Sequence, residues 1–300
     1  RATMAGRFDE GERLALESLT IARAAHHVVG RGAELAYGAQ ILNLRVLQGR
    51  PAEVEPAARA LVGGNPDVVD WRAALAAVHS EMGSRSEARA EFEQLAEEKF
   101  SGVPADDFWL INHGLLSEVC AYLGDASRAA DLYDLLLPCS QRTILLGFPT
   151  MICRGSASRN LALLATTTER WDDAVTHFED ALEMNARMGA RPWLAYTQQG
   201  YADMLLRRGR PNDRTNALRL ATEALATAQE IGMKSLVEKT LALKLQAQGI
   251  DPTKVGTSIE AVAASVYAEK PNLRPHAAPD GTVTILFSDI QGSTAINERL

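Results

Sequence analysis

Aromatic side chains are scarce in this sequence, at 6% of residues, and cysteine occurs only three times, at Cys120, Cys139 and Cys153. Three cysteines without paired spacing exclude a disulfide framework and a zinc ribbon, and they point to a reduced, cytoplasmic chain. A basic excess is also missing. Lys and Arg number 31 against 38 Asp and Glu, giving a formal net charge of −7. Nucleic-acid binding wants a basic face to neutralise phosphates, so neither DNA nor RNA is expected as a partner. No apolar run approaches the roughly twenty residues that a membrane span needs, so no membrane association is expected either. Arg1 is not an initiator methionine and the first residues do not read as a signal peptide, so both ends read as cut.

What is present is a sequence rich in alanine and leucine, which favours helices. Self-similarity emerges when turn positions are aligned. After Gly83, Gly124 and Glu169, a small residue recurs at one offset (Ala88, Ala129, Ala174) and an aromatic at another (Phe92, Tyr133, Phe178). Before each turn a further small residue recurs: Ala76, Ser117, Ala162. Gly6, Gly49 and Gly209 mark weaker copies. Small residues let two helices approach closely, and the aromatic fills the groove toward the next helical hairpin. The period of about 34 to 45 residues fits tetratricopeptide-like repeats with lengthened helices. About thirteen helices are predicted between Ala2 and Gln248.

Local signals support the boundaries. Ser84-Arg-Ser-Glu87 reads as a capping box. Asp125 caps the helix that Pro138 ends, and Pro51 suits a first helical turn. Gly189 and Gly232 read as C-terminal stops. The fold class is therefore all-α, an α-solenoid over residues 1–248. A linker with a short helix, Ser258 to Glu269, and a proline-spaced extended stretch, Pro271 to Pro279, occupies residues 249–280.

The most chemically specific stretch follows: Gly281-Thr-Val-Thr-Ile-Leu-Phe-Ser-Asp-Ile-Gln-Gly-Ser-Thr294. Thr282 to Phe287 predict a strand, Gly292 a tight turn, and Ser293 or Thr294 the cap of a helix running on toward Leu300. A carboxylate at Asp289 can hold a hard cation, while the amides of the turn and the helix start can hold phosphate oxygens. The bare pattern leaves alternatives open. It also fits an ordinary strand–helix turn with an Asx cap. A haloacid-type phosphatase would place a second carboxylate at position 291, where Gln291 cannot act as acid or base.

Residues 281–300 resemble the opening of class III adenylate/guanylate cyclase domains. The resemblance implies that Asp289 is the first metal-binding aspartate and that Ile290 offers its backbone carbonyl to a metal. It implies that Ile290, Gln291, Gly292, Ser293 and Thr294 form the loop whose amides approach the triphosphate. Mg²⁺ or Mn²⁺ would be the cofactor, ATP or less favourably GTP the substrate, and a homodimer the active form. The second metal aspartate and the transition-state residues would fall beyond Leu300, so residues 1–300 alone are expected to be inactive. The repeat region, with Gly189 to Gly209 and Ala217 to Met233, resembles that of large bacterial signalling proteins that pair a P-loop ATPase with a cyclase or a helix-turn-helix domain. No P-loop string occurs in residues 1–300. The repeat groove is expected to take a protein or an intramolecular domain and no cofactor. The alternative function is a protein-binding scaffold of a signalling ATPase or transcription regulator.

Several tempting residues carry blander readings. His26 and His27 point to different helix faces. His79 and His113 read as packed or solvated. Glu91, Glu93, Glu97 and Glu98 read as a solvated face. Trp71, Trp109, Trp171 and Trp193 read as hairpin packing, with Trp193 the one able to line a groove.

Overall fold

The computed structural model describes residues 1–24, 32–147 and 151–254. His26, His27, the linker beyond 254 and the cyclase-like stretch, with Asp289, Ile290, Gln291, Gly292, Ser293 and Thr294, lie outside the described residues. The described chain is predominantly α-helical: α1 (Phe8–Ala24), α2 (Gly32–Leu47), α3 (Glu55–Gly64), α4 (Val69–Glu81), α5 (Arg85–Leu95), α6 (Trp109–Leu123), α7 (Ala126–Leu136), α8 (Ala157–Thr167), α9 (Trp171–Arg187), α10 (Arg191–Arg208), α11 (Asp213–Glu230) and α12 (Lys234–Gln248). Between α7 and α8 lies a two-stranded antiparallel hairpin, β1 (Thr143–Leu146) and β2 (Ile152–Ser156), with Leu145 opposite Cys153. No helix among the described residues is long and apolar enough to cross a membrane.

Turn chemistry sets the helix ends. Gly83, Gly124 and Glu169 adopt positive φ, as do Gly189 and Gly232, so each helix stops where the left-handed residue falls. Asp125 accepts from the Arg128 amide at 3.1 Å and caps α7, and a single 3₁₀ turn over Leu137–Cys139 carries Pro138. The capping box does not form. Ser84 occupies the N-cap position of α5, but its side chain makes no cap bond, and Glu87 instead accepts from the Ser86 hydroxyl at 2.6 Å.

Packing follows the small–aromatic register. Ala76, Ser117, Ala162, Ala88, Ala129 and Ala174 are wholly buried, and so are Phe92 and Phe178, with Tyr133 nearly so. All but the polar Ser117 belong to one apolar core that runs from α4 to α11. α1 packs on α2, and from α3 onward helices adjacent in sequence pack together, as do alternate ones: α4 on α6, α6 on α8, α8 on α10 and α10 on α12. Gly114 in α6 makes room for the hairpin, since a Cβ there would lie 2.8 Å from Ile144 Cδ1.

The first helical pair docks on the last helices. Phe8, Leu44 and Leu47 share a core with Trp193, Tyr196, Ala228, Met233 and Leu236. The Arg191 amide donates to the Met4 carbonyl at 2.9 Å. Gly49, at φ +74°, lies so close to α12 that a Cβ would sit 2.5 Å from the Ser235 nitrogen. Lys239 of α12 pairs with Glu81 of α4 at 2.8 Å.

The buried small positions make a direct prediction. Ala174 has no exposed surface, so Ala174→Leu should overpack the α8–α9 contact and cost about 1–3 kcal/mol. Urea denaturation reads this as a lower midpoint, and an unchanged midpoint would refute the close contact.

Candidate functional site

The inner face of the helix row encloses a groove of about 310 Å³. Its walls come from Glu81 of α4, Glu118 and Tyr122 of α6, Arg159 and Leu163 of α8, and Trp193, Tyr196, Asp203 and Arg207 of α10, with Lys239 of α12 and Arg154 of β2.

At its base, one carboxylate serves two guanidiniums. Glu118 accepts from Arg154 Nη2 and from Arg159 Nη1, both at 2.6 Å. The Arg154 and Arg159 side chains are 7% and 8% exposed. Desolvation pushes the Glu118 carboxyl upward, but the two adjacent arginines outweigh it and hold the group below the ordinary carboxylate range. Its ionic contribution to stability is therefore present above that range and is lost as pH falls through the depressed folded value. Both arginines also sit on aromatic faces. Arg154 Cζ lies 4.8 Å from the Trp193 ring centroid, and Arg159 Cζ lies 5.2 Å from that of Tyr196.

The hairpin places Arg154, and Asn185 of α9 anchors the hairpin. Asn185, fully buried, accepts from the Ser156 amide at 3.0 Å and donates to Thr197 Oγ1 at 3.1 Å. The indole Nε1 of Trp193 donates to the Cys153 carbonyl at 2.8 Å. Gly155 passes between them at φ +78°, where a Cβ would lie 2.7 Å from both Asn185 Oδ1 and Trp193 Cβ. Ser156 then caps α8 by accepting from the Ser158 amide, which sets the start of the helix that carries Arg159.

Around the base, charges are matched in pairs. Lys239 meets Glu81 at 2.8 Å and Arg207 meets Asp203 at 3.8 Å. Desolvation raises the Asp203 carboxyl against the opposing pull of Arg207. Arg159 Nε is buried with no acceptor.

Of the residues singled out in the sequence, Trp193 lines this groove. His79 and His113 are buried, and His113 Nδ1 is 2.8 Å from the Trp109 carbonyl. In the acidic stretch Glu97 and Glu98 are exposed as expected, while Glu91 is partly covered in its pair with Arg72 at 2.5 Å and the half-exposed Glu93 pairs with Arg128 at 2.5 Å. Cys120 is buried among apolar groups, and burial pushes its thiol up to about 12. Glu118, Arg154 and Arg159 were not anticipated. The one local signal was Arg159 three residues before the buried Ala162, a charge on the helix face that carries it. No family model matches the chain, and neither does any curated protein or solved structure.

Gly155 gives the test of this geometry. Gly155→Ala should strain the backbone and crowd Trp193, lowering stability by about 2 kcal/mol or more. Chemical denaturation measures it, and a stability equal to wild type would mean that the hairpin does not press on α10 as described.

Proposed function

We propose that residues 1–248 are a tetratricopeptide-like α-solenoid, curled until its ends touch, that senses a ligand and sets the output of a class III nucleotide cyclase domain opening at Gly281. The observation that carries the sensing half is the groove. Alternate helices line up their inner faces around a buried, polar, aromatic-backed cluster, which is how a helical-repeat array presents a binding surface. The cyclase half rests on the sequence from Gly281 to Thr294. In this reading the parent converts ATP to cyclic AMP and pyrophosphate. Asp289 and the Ile290 carbonyl hold Mg²⁺ or Mn²⁺, and Ile290 to Thr294 approach the triphosphate. The metal offsets triphosphate charge and helps activate the ribose hydroxyl. Catalysis takes place in a homodimer in the cytoplasm.

A second reading is a protein-binding scaffold of a signalling ATPase or transcription regulator. It is favoured by apolar side chains left exposed on the first helical pair: Leu14, Leu16 and Ile21 on α1 and Leu35 on α2.

The readings separate on Asp289. In a chain carrying a whole cyclase domain, Asp289→Asn should abolish cyclic AMP formation from Mn²⁺–ATP while the fold survives, because size is kept and charge is lost. Turnover near wild type would remove the metal role and return the stretch to an ordinary strand–helix turn.

A further inference from the structure

The groove's charges do not balance. Arg154, Arg159, Arg207 and Lys239 face Glu81, Glu118 and Asp203. Two ion pairs, Lys239–Glu81 and Arg207–Asp203, cancel at the walls, leaving Glu118 alone against two buried guanidiniums. An uncompensated charge in a desolvated site is costly, and a bound counter-charge relieves the cost. The surplus is one positive charge, and it falls on side chains that are at most 8% exposed. Arg159 Nε adds a second, independent sign, a buried donor without an acceptor.

From this we infer that the groove is a binding site for a small organic monocarboxylate, its carboxylate taken by Arg154 and Arg159 and its hydrocarbon part resting on Val46, Ala121 and Leu163. A guanidinium fork matches a carboxylate in plane. One negative charge neutralises the surplus, whereas a phosphate dianion or a dicarboxylate would exceed it and leave a net negative charge in the groove. Size points the same way. The volume of about 310 Å³ suits a small molecule. Lys239 of α12 and Glu81 of α4 meet at this groove. The inference rests on the sensing half of the proposed function. It is tested by binding, so its failure is separate from failure of the cyclase assignment.

The test uses the 300-residue chain in isothermal titration against hexanoate and benzoate, with succinate and inorganic phosphate at matched ionic strength. At least one monocarboxylate should bind saturably, about tenfold or more tighter than succinate or phosphate. Arg159→Met and Arg154→Met each leave one neutral Arg–Glu pair, so each should weaken binding by about tenfold or more, the scale of one lost charge-assisted interaction. Arg159→Lys keeps the charge and should stay closer to wild type than Arg159→Met does. If one methionine variant fails to fold, the other decides, and the wild-type preference for monocarboxylate over phosphate decides without either. Three results would overturn the inference: no monocarboxylate binding, phosphate binding as tightly, or undiminished binding by a folded methionine variant. Capture of an acidic peptide without binding of the free acids would also overturn it and give the groove to a protein ligand.

Discussion

The carboxylate of Glu118, shared between Arg154 and Arg159, adds a buried ionic link between parts of the chain that also meet through the apolar core. Glu118 is on α6, Arg154 on the inserted hairpin and Arg159 on α8, and the aromatic faces of Trp193 and Tyr196 bring in α10. An ion pair at such low exposure gains little net free energy over apolar packing, but losing one partner leaves a stranded charge. The cluster is therefore best understood as a device that fixes geometry. It holds the hairpin against the helices and sets the depth of the groove, while stability comes from the surrounding apolar core.

That core depends on small residues. Alanines at 0% exposure on facing helices let backbones approach, and Phe92, Tyr133 and Phe178 fill the space between successive pairs. The same logic closes the molecule. Gly6 and Gly49 let the first helical pair come against α11 and α12, where a side chain at either glycine would collide with Ile231 or Ser235. The docking of the first pair on α11 and α12 accompanies the approach of Lys239 to Glu81, and both residues line the groove.

The helical class and the buried register were legible in the sequence because they are local. A small residue at a fixed distance from a left-handed turn reports its own packing, as Ala88, Ala129 and Ala174 do. What was not legible is non-local. Glu118 is 36 residues from Arg154 and 41 from Arg159, and no periodicity links them. The hairpin escaped notice because its strands are short and each is followed directly by a turn or a helix. The capping box failed because Glu87 took the neighbouring Ser86 hydroxyl, a competition that the pattern does not encode. The stretch from Asp289 to Thr294 lies outside the described residues, and its cyclase assignment remains a proposal carried by sequence resemblance.

The claim that the ionic cluster organises the groove is tested most directly by a double-mutant cycle on stability. Glu118→Gln alone strands two buried guanidiniums, whereas in an Arg159→Met background it strands one. Urea denaturation of the four proteins should give a coupling of about 1.5 kcal/mol or more between Glu118 and Arg159. Additive effects, with a coupling below about 0.5 kcal/mol, would show that the two side chains act independently and would contradict the account.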